Sequence, residues 1–337
     1  MTKHSMRHFR LQRTGAGNAG IPPWPSYTGE SKLVGQSANG RLTVYVDPTL
    51  GANGLANANS LLQDADRIID ANDAIFGTAG GPTSVIIFAL NGPTDGSGGA
   101  DHGGCDYETG AAIEVCAAFG APKRVSALFE AELSECSMGG NLCGVNTGEA
   151  LSRWCAAEIG DNALSDFATG PAWVSGGQKN FIDTSDPTDQ NAESTGCGIV
   201  FISWLQSLGF ALNQIAPAMV SLGEGGTFAQ LYQQLTQKSA SSAWADFMAA
   251  VNALPAPIGN DDPFAGVAPQ AAMHGVPKET ADRLLAIILE SIAAGHSAER
   301  MADRLAGAMA MTKQAAPKRR APASACTLGS HRLGKAA

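Results

Sequence analysis

The chain has 337 residues, 40 glycines, 16% charged residues and a formal net charge of −9. This length can bury one large core or two smaller ones. Ten lysines and arginines lie within residues 1–13 and 313–337, so residues 14–312 carry 31 acids against 12 bases. Such an acidic body argues against nucleic acid as the main partner. No apolar run of 18 residues occurs, so a membrane span is not expected either.

Six of the seven cysteines lie between residues 105 and 197, and no CxxC pair occurs. Because histidine is almost absent nearby, a structural zinc site is not expected. The even number of cysteines between residues 105 and 197 is compatible with disulfides. The short loop between Cys136 and Cys143 makes these two our candidate pair. Disulfides occur in oxidising compartments. The composition thus suggests an extracytoplasmic protein, but glycine and proline follow the basic start in place of an apolar signal segment, so the compartment stays open.

The first 40 residues lack apolar periodicity and are predicted to be a disordered arm. A main domain is predicted over residues 41–254. The glycine-rich loop at 91–110 lacks the residue order of a phosphate-binding P-loop, which argues against a nucleotide site. The predicted elements before and after this loop are strand 42–47, helix 56–76 ending at Gly77, strand 84–90, an edge strand near 105–107 and strand 111–118.

The next predicted helix, over residues 123–138, carries two glutamates on its apolar side. At about 100° per residue, Glu132 and Glu135 fall within the apolar arc, whereas Glu130 is expected to face solvent. Burying an ionised carboxylate without a partner costs several kcal/mol. Two adjacent carboxylates also repel, so a shared proton, a basic side chain or a metal ion must neutralise them. The apolar arc consists of Val125, Leu128, Phe129, Leu133 and Cys136.

A second helix is predicted over residues 147–159, with Thr147 as its N-cap. Glu149 lies opposite the apolar stripe of this helix and four residues before Arg153. It is therefore expected either to bind an ion or to form an i,i+4 ion pair near the helix N-terminus.

The rest of the main domain is predicted to be a long polar loop, residues 160–193, followed by an all-helical half. Asp183, Asp186 and Asp189 in this loop suit calcium by side-chain type, but they lack the order of an EF-hand. Ion binding and a solvated loop both remain open for them. The predicted helices are 195–208, 211–222, 227–237 and 241–253.

The last 80 or so residues are predicted to form three segments. Residues 255–275 are expected to be a linker. Residues 276–312 are expected to form a separate amphipathic helical hairpin, which either makes a homo-oligomer or docking contact or packs on the main domain. The basic residues 313–337 are expected to be a disordered tail.

The order strand, helix, strand, edge strand, strand and glutamate helix resembles the N-terminal half of the zincin metallopeptidase fold. It is also similar to uncharacterised bacterial proteins with the same glutamate-rich variant. The resemblance implies an α+β fold with a small mixed sheet, an active-site helix and then an all-helical half. In zincins the active helix carries H-E-x-x-H, with two histidine ligands one turn apart and the glutamate as general base. The corresponding residues here are Ala131-Glu132-Leu133-Ser134-Glu135.

The resemblance implies roles for single residues. Glu132 takes the position of the general base, Ala131 that of the first histidine and Glu135 that of the second. The gluzincin branch takes a third ligand from a downstream helix, and Gly148-Glu149-Ala150-Leu151-Ser152-Arg153 is similar to that motif, with Glu149 in the ligand position. A carboxylate set without histidine suits Ca²⁺, Mg²⁺ or Mn²⁺ better than zinc. The expected metal ligands are therefore Glu135 and Glu149.

His102 is the only histidine of the predicted main domain, and it precedes the expected edge strand, which borders the cleft in zincin-like folds. It is the second catalytic candidate beside Glu132. A serine hydrolase is not supported, because no G-x-S-x-G elbow occurs. The leading hypothesis is a hydrolase of a carbonyl-centred bond in a peptide, ester or lactone substrate. The alternatives are a catalytically inactive zincin-fold binding protein and a purely structural role mediated by the C-terminal helices. If Glu132 and Glu135 do not form a site, they are expected to pair with Arg124, Arg153 or backbone donors.

Overall fold

The computed structural model describes residues 21–90, 99–107, 112–266 and 286–287. The chain divides into two compact units, residues 1–270 and 271–337. The predicted tail at 313–337 and nearly all of the predicted hairpin at 276–312 lie outside the described residues. The strands and the eight α-helices described here all belong to the first unit, which is an α+β structure.

A five-stranded mixed sheet forms the N-terminal half of this unit, in the order β1-β2-β3-β5-β4. The three inner strands are parallel, and both edge strands run antiparallel to their neighbours. Their residue alternation explains the register, because Val44, Val85 and Ile113 lie side by side and are fully buried. The strands are β1 Lys32–Gln36, β2 Leu42–Val46, β3 Thr83–Ile87, β4 Ala100–His102 and β5 Ala112–Val115.

The helices pack around two clusters of buried apolar residues within the described part of the chain. The first cluster lies between one face of the sheet and α1 and α2, and the second holds the C-terminal helices together. Glycine allows close packing in the second cluster: a Cβ atom on Gly198 would lie 2.8 Å from the Ala150 side chain. The helices are α1 Gly51–Phe76, α2 Pro122–Ser137, α3 Asn146–Ile159, α4 Gly170–Ser175, α5 Ala192–Ser207, α6 Leu212–Leu222, α7 Phe228–Thr236 and α8 Ala243–Asn252.

Most predicted elements are confirmed to within a few residues, including the stop of α1. Gly77 has φ 73° and donates its N–H to the Asp73 carbonyl, which is the left-handed C-cap that glycine favours. The edge strand differs from its prediction, since it lies at residues 100–102 instead of 105–107. The predicted polar loop at 160–193 contains the short helix α4, whose Trp173 is fully buried.

The predicted disordered arm is corrected for its C-terminal part. Residues 32–36 form β1, and residues 24–27 cover the sheet face that the helices leave open. Trp24 packs edge-on against Tyr45 with ring centroids 5.3 Å apart. On the same segment, Ser26 donates hydrogen bonds from its backbone and its hydroxyl to the buried Glu114 carboxylate of β5. The segment is ordered because it buries aromatic rings and satisfies this carboxylate.

The predicted Cys136–Cys143 pair is wrong, because Cys143 is bonded to Cys105. Cys136 is a buried free thiol on the inward side of α2, where its Sγ lies 3.8 Å from the Gly104 carbonyl oxygen. Sequence distance suggested the short loop, whereas the fold brings the segment after β4 against the α2–α3 loop. The disulfide therefore joins these two segments. None of the described helices is long and apolar enough to cross a membrane.

Candidate functional site

Helix α2 is packed on several sides, against α1, α3, β4 and β5. This packing gives its three glutamates different surroundings. Glu132 and Glu135 face a cleft, with 15% and 17% of their side chains exposed. Glu130, expected in solvent, is fully buried on the α1 side and accepts a hydrogen bond from Asn72 at 2.9 Å. The prediction for Glu130 is therefore wrong, since a helix surrounded by neighbours has no solvated face at this position.

His102 ends the edge strand β4, where pairing with Ile113 of β5 sets its position. Its ring reaches over to α2, and its Nε2 atom lies 2.8 Å from Glu135 Oε2 and 4.0 Å from Glu132 Oε2. Its Nδ1 atom lies 2.8 Å from the Gly104 carbonyl oxygen. Because a carbonyl only accepts, Nδ1 carries a proton, and Nε2 is the atom turned towards the two glutamates.

The charges around His102 change its pKa. Burial by itself lowers the pKa of this imidazole, but the hydrogen bond to Glu135 and the charges of Glu132 and Glu135 raise it to about 10. Without a bound cation, His102 is thus an imidazolium at neutral pH. The two glutamates are affected in opposite directions. Burial and the Glu135 charge raise the pKa of Glu132. Burial also acts to raise the pKa of Glu135, but the hydrogen bond and charge of His102 together with the hydrogen bond from Ser152 lower it below its usual value.

Helix α3 supplies the outer side of the site. Ser152 donates a hydrogen bond to Glu135 Oε1 at 3.0 Å, the oxygen that faces away from His102. Glu149 accepts a hydrogen bond from Arg153 Nε at 2.5 Å, as its i,i+4 spacing predicts. Burial raises the pKa of Glu149 to about 7, with the Arg153 charge opposing this rise and the Glu135 charge adding to it.

These side chains line one cleft with a volume of about 560 Å³. Its wall combines the acidic and basic groups already described with apolar residues such as Leu128, Leu164 and Phe167, so a substrate can be held beside the charged centre. Asp189 of the predicted calcium-compatible loop also lines the cleft, whereas Asp183 and Asp186 are not among its lining residues.

One group of side chains within the described residues could hold a metal ion, and it consists of His102, Glu132 and Glu135. The ligand atoms of these three lie within 4.8 Å of one another. Glu149, the other predicted ligand, lies in the same cleft but is paired with Arg153 and is not part of this group. The structure therefore brings both catalytic candidates and one predicted ligand into a single cluster, with Glu149 beside it.

Sequence reasoning missed two residues that hold the site in place. The Gly104 carbonyl orients His102, and no sequence pattern marks a carbonyl group for such a role. Ser152 is part of the gluzincin-like motif Gly148–Arg153, in which the resemblance implies no function for it. Its position three residues after Glu149 on α3 was the available signal, because residues at this spacing share a helix face.

A scan against protein-family models finds no match for this chain. A search of curated proteins finds no significant similarity either.

Proposed function

We propose that this chain is a hydrolase that cleaves a carbonyl-centred bond in a peptide, ester or lactone substrate. The observation that carries the proposal is the approach of His102 to Glu132 and Glu135, all three of which line one cleft. An acid, a base and a positive charge in one partly exposed site are the groups that such hydrolysis needs.

The arrangement of elements supports a zincin-like domain over residues 41–254. Strand, helix and strand are followed by an antiparallel edge strand, β5 and the glutamate helix α2, and helices make up the second half. The edge strand β4 borders the cleft through Ala100, Asp101 and His102, as the resemblance to the zincin fold implies. Ala131 also lines the cleft, and its small side chain leaves room at the position of the first zincin histidine. His102 reaches the centre from β4 instead.

Glu132 is the proposed general base. Its carboxylate lies 4.0 Å from His102 Nε2, and burial, which raises its pKa, makes the carboxylate a stronger base. Water adds its oxygen to the carbonyl carbon as Glu132 takes one water proton, and the carbonyl π electrons become the charge of an oxyanion. The C–O or C–N bond then breaks as the oxyanion collapses, and Glu132 returns the proton to the leaving atom.

His102 is proposed to stabilise the oxyanion. As an imidazolium held by Glu135, it places a positive charge next to Glu132 and thus near the reacting carbonyl. A divalent cation would take the place of the imidazolium proton, because neutral His102, Glu132 and Glu135 offer one donor atom each and these atoms lie within 4.8 Å of one another. Glu132 would then bind the ion through one oxygen and keep the other for the water proton. Such an ion would supply the positive charge that polarises the carbonyl.

One observation favours the alternative of a catalytically inactive binding protein. The position of the first zincin histidine is Ala131 and that of the second is Glu135, so neither imidazole of the H-E-x-x-H helix is present on α2. A chain in this state would bind peptides or small molecules in the cleft without turnover.

Turnover measurements separate the two functions. The full chain is assayed on a panel of ester, lactone and peptide substrates, with and without a chelator, beside Glu132→Gln. We expect wild-type turnover and a loss of about 10²–10⁴-fold in kcat for Glu132→Gln, the usual contribution of a general base. Glu224 is exposed in the α6–α7 connection, so Glu224→Gln is the control and should retain full activity. A wild-type chain without turnover on the whole panel would favour the binding protein.

A further inference from the structure

We infer that His102, Glu132 and Glu135 bind one first-row divalent ion and hold Zn²⁺ more tightly than Ca²⁺ or Mg²⁺. The inference deepens the proposed function and rests on it for the use of the ion, but not for the binding itself. Each of the three side chains offers one ligand atom, and these atoms lie within 4.8 Å of one another in an accessible cleft.

The distances between the donor atoms suit a small ion. A tetrahedral zinc site with ligands at about 2.0–2.2 Å separates its donors by roughly 3.3 Å. His102 Nε2 lies 2.8 Å from Glu135 Oε2 and 4.0 Å from Glu132 Oε2, so the two separations bracket that value. Small side-chain rotations would therefore bring the three atoms around one ion, with a fourth position open to the cleft.

The surrounding hydrogen bonds orient two of these ligands without using their donor atoms. The Gly104 carbonyl accepts from His102 Nδ1, which leaves Nε2 to face the carboxylates. Ser152 binds Glu135 Oε1, which leaves Oε2 to face the histidine. Outer partners of this kind set the tautomer and the orientation of metal ligands in proteins.

The donor set decides the class of ion. Calcium takes six to eight oxygen ligands, and magnesium prefers oxygen ligands, whereas this cluster offers two carboxylates and one imidazole. Imidazole suits zinc and its first-row neighbours. The sequence-based expectation of Ca²⁺, Mg²⁺ or Mn²⁺ assumed a set of carboxylates with Glu149 as a ligand. In the structure Glu149 is paired with Arg153, and His102 joins the cluster instead.

Metal binding by the full chain tests this inference without any substrate. The protein is stripped with a chelator, dialysed, and titrated with Zn²⁺, Mn²⁺, Ca²⁺ and Mg²⁺ in a calorimeter, with metal content measured after equilibrium dialysis. We expect one tightly bound Zn²⁺ per chain, and affinities for Ca²⁺ and Mg²⁺ at least tenfold weaker. Co²⁺ bound in place of Zn²⁺ should show the visible absorption of a low-coordinate site whose ligands are nitrogen and oxygen atoms.

Variants locate the ion. His102→Ala should weaken Zn²⁺ binding by at least about 100-fold, and Ser152→Ala, which removes only an outer partner, by about 10–100-fold. His102→Gln and Glu135→Gln serve the same purpose if His102→Ala has a lowered Tm. His102→Ala retains the histidines outside the described residues, which report binding elsewhere: His4, His8, His274, His296 and His331.

Several results would overturn the inference: no stoichiometric Zn²⁺, equal affinity for Ca²⁺ and Zn²⁺, or undiminished Zn²⁺ binding by a folded His102→Ala chain. Its failure can be told from that of the proposed function. Turnover by a chain that binds no zinc would refute the ion and leave the hydrolase, whereas zinc bound through His102 without any turnover would support the ion and refute the hydrolase.

Discussion

Glu130 shows how one buried carboxyl group depends on its immediate neighbours. It is fully buried on α2, accepts one hydrogen bond from Asn72, and its Oε2 atom has no partner among the described residues. Asn72 in turn accepts from Ser137, so a polar chain runs from α1 to the end of α2. Burial raises the pKa of Glu130 to about 8, and the group is therefore mostly protonated at neutral pH.

This raised pKa predicts a loss of stability with rising pH. The folded pKa, about 8, exceeds the unfolded value near 4.5, so the contribution of Glu130 is fully present below about pH 4.5 and is lost as pH rises through 8. Glu130→Gln keeps an acceptor for Asn72 but cannot ionise. Between pH 5 and 9, the free energy of unfolding of wild type should fall as Glu130 ionises. We expect the fall for Glu130→Gln over the same range to be smaller by a few kcal/mol.

Denaturant unfolding at several pH values measures this difference. Glu224→Gln, at an exposed position, should follow the wild-type curve. Parallel curves for wild type and Glu130→Gln would show that Glu130 is not protonated in the folded chain.

At the scale of elements, the segment after β4 is held in place by one covalent bond. His102 ends β4, and Cys105, three residues later, is bonded to Cys143 in the α2–α3 loop. Both the β4 segment and the α2–α3 loop contribute to the cleft wall, through His102 and Cys143 respectively. The disulfide therefore fixes the position of the only described histidine in the main unit relative to α2.

Breaking this disulfide should disturb stability and the site together. The bond spans 38 residues of sequence, for which chain-entropy arguments give roughly 3–4 kcal/mol of stabilisation. We expect Cys105→Ala/Cys143→Ala to lower the free energy of unfolding by about this amount and to weaken turnover and Zn²⁺ binding. Unfolding curves, the substrate panel and calorimetry measure the three effects.

A reductant provides the internal control for this prediction. It should shift the stability, turnover and Zn²⁺ binding of wild type towards those of the double variant. The double variant itself should not respond, because the other described cysteines are buried thiols outside any disulfide. An effect of the same size on both proteins would place the redox-sensitive group elsewhere.

At the scale of the whole molecule, the chain consists of two compact units with different compositions. Residues 1–270 contain the cleft, whereas residues 276–312 carry an amphipathic pattern that predicts a helical hairpin with its own apolar stripe. An apolar stripe of this kind needs a partner surface, which a second copy of the chain, another partner or the main domain could provide. A second copy is the alternative that a deletion tests directly.

Deletion of residues 276–337 tests this expectation. We expect full-length protein to have the molar mass of an oligomer by light scattering and the shortened chain to have that of a monomer. The His102 cluster lies in residues 1–270, so Zn²⁺ binding serves as the control and should persist. An unchanged molar mass after deletion would remove the oligomerisation hypothesis.

Local patterns were enough to predict most of the first unit. Alternation in Leu42–Val46 and a helical apolar stripe ending at Gly77 depend on neighbours in sequence, and the structure confirms both. The inward turn of Glu132 and Glu135 also follows from the geometry of a single helix. The Glu149–Arg153 pair needs only the spacing of one helical turn.

Other features depended on contacts between distant segments, which no local pattern specifies. The burial of Glu130 follows from packing α1 against α2, and the Cys105–Cys143 bond follows from the meeting of two loops. The order of residues 24–27 comes from packing Trp24 and Tyr27 on an open sheet face, and that of residues 32–36 from pairing with β2. The sequence by itself thus determined the elements and the two cleft-facing glutamates of α2. Only the tertiary structure decided that His102 would complete their cluster, because the edge pairing of β4 with β5 brings its ring across to α2.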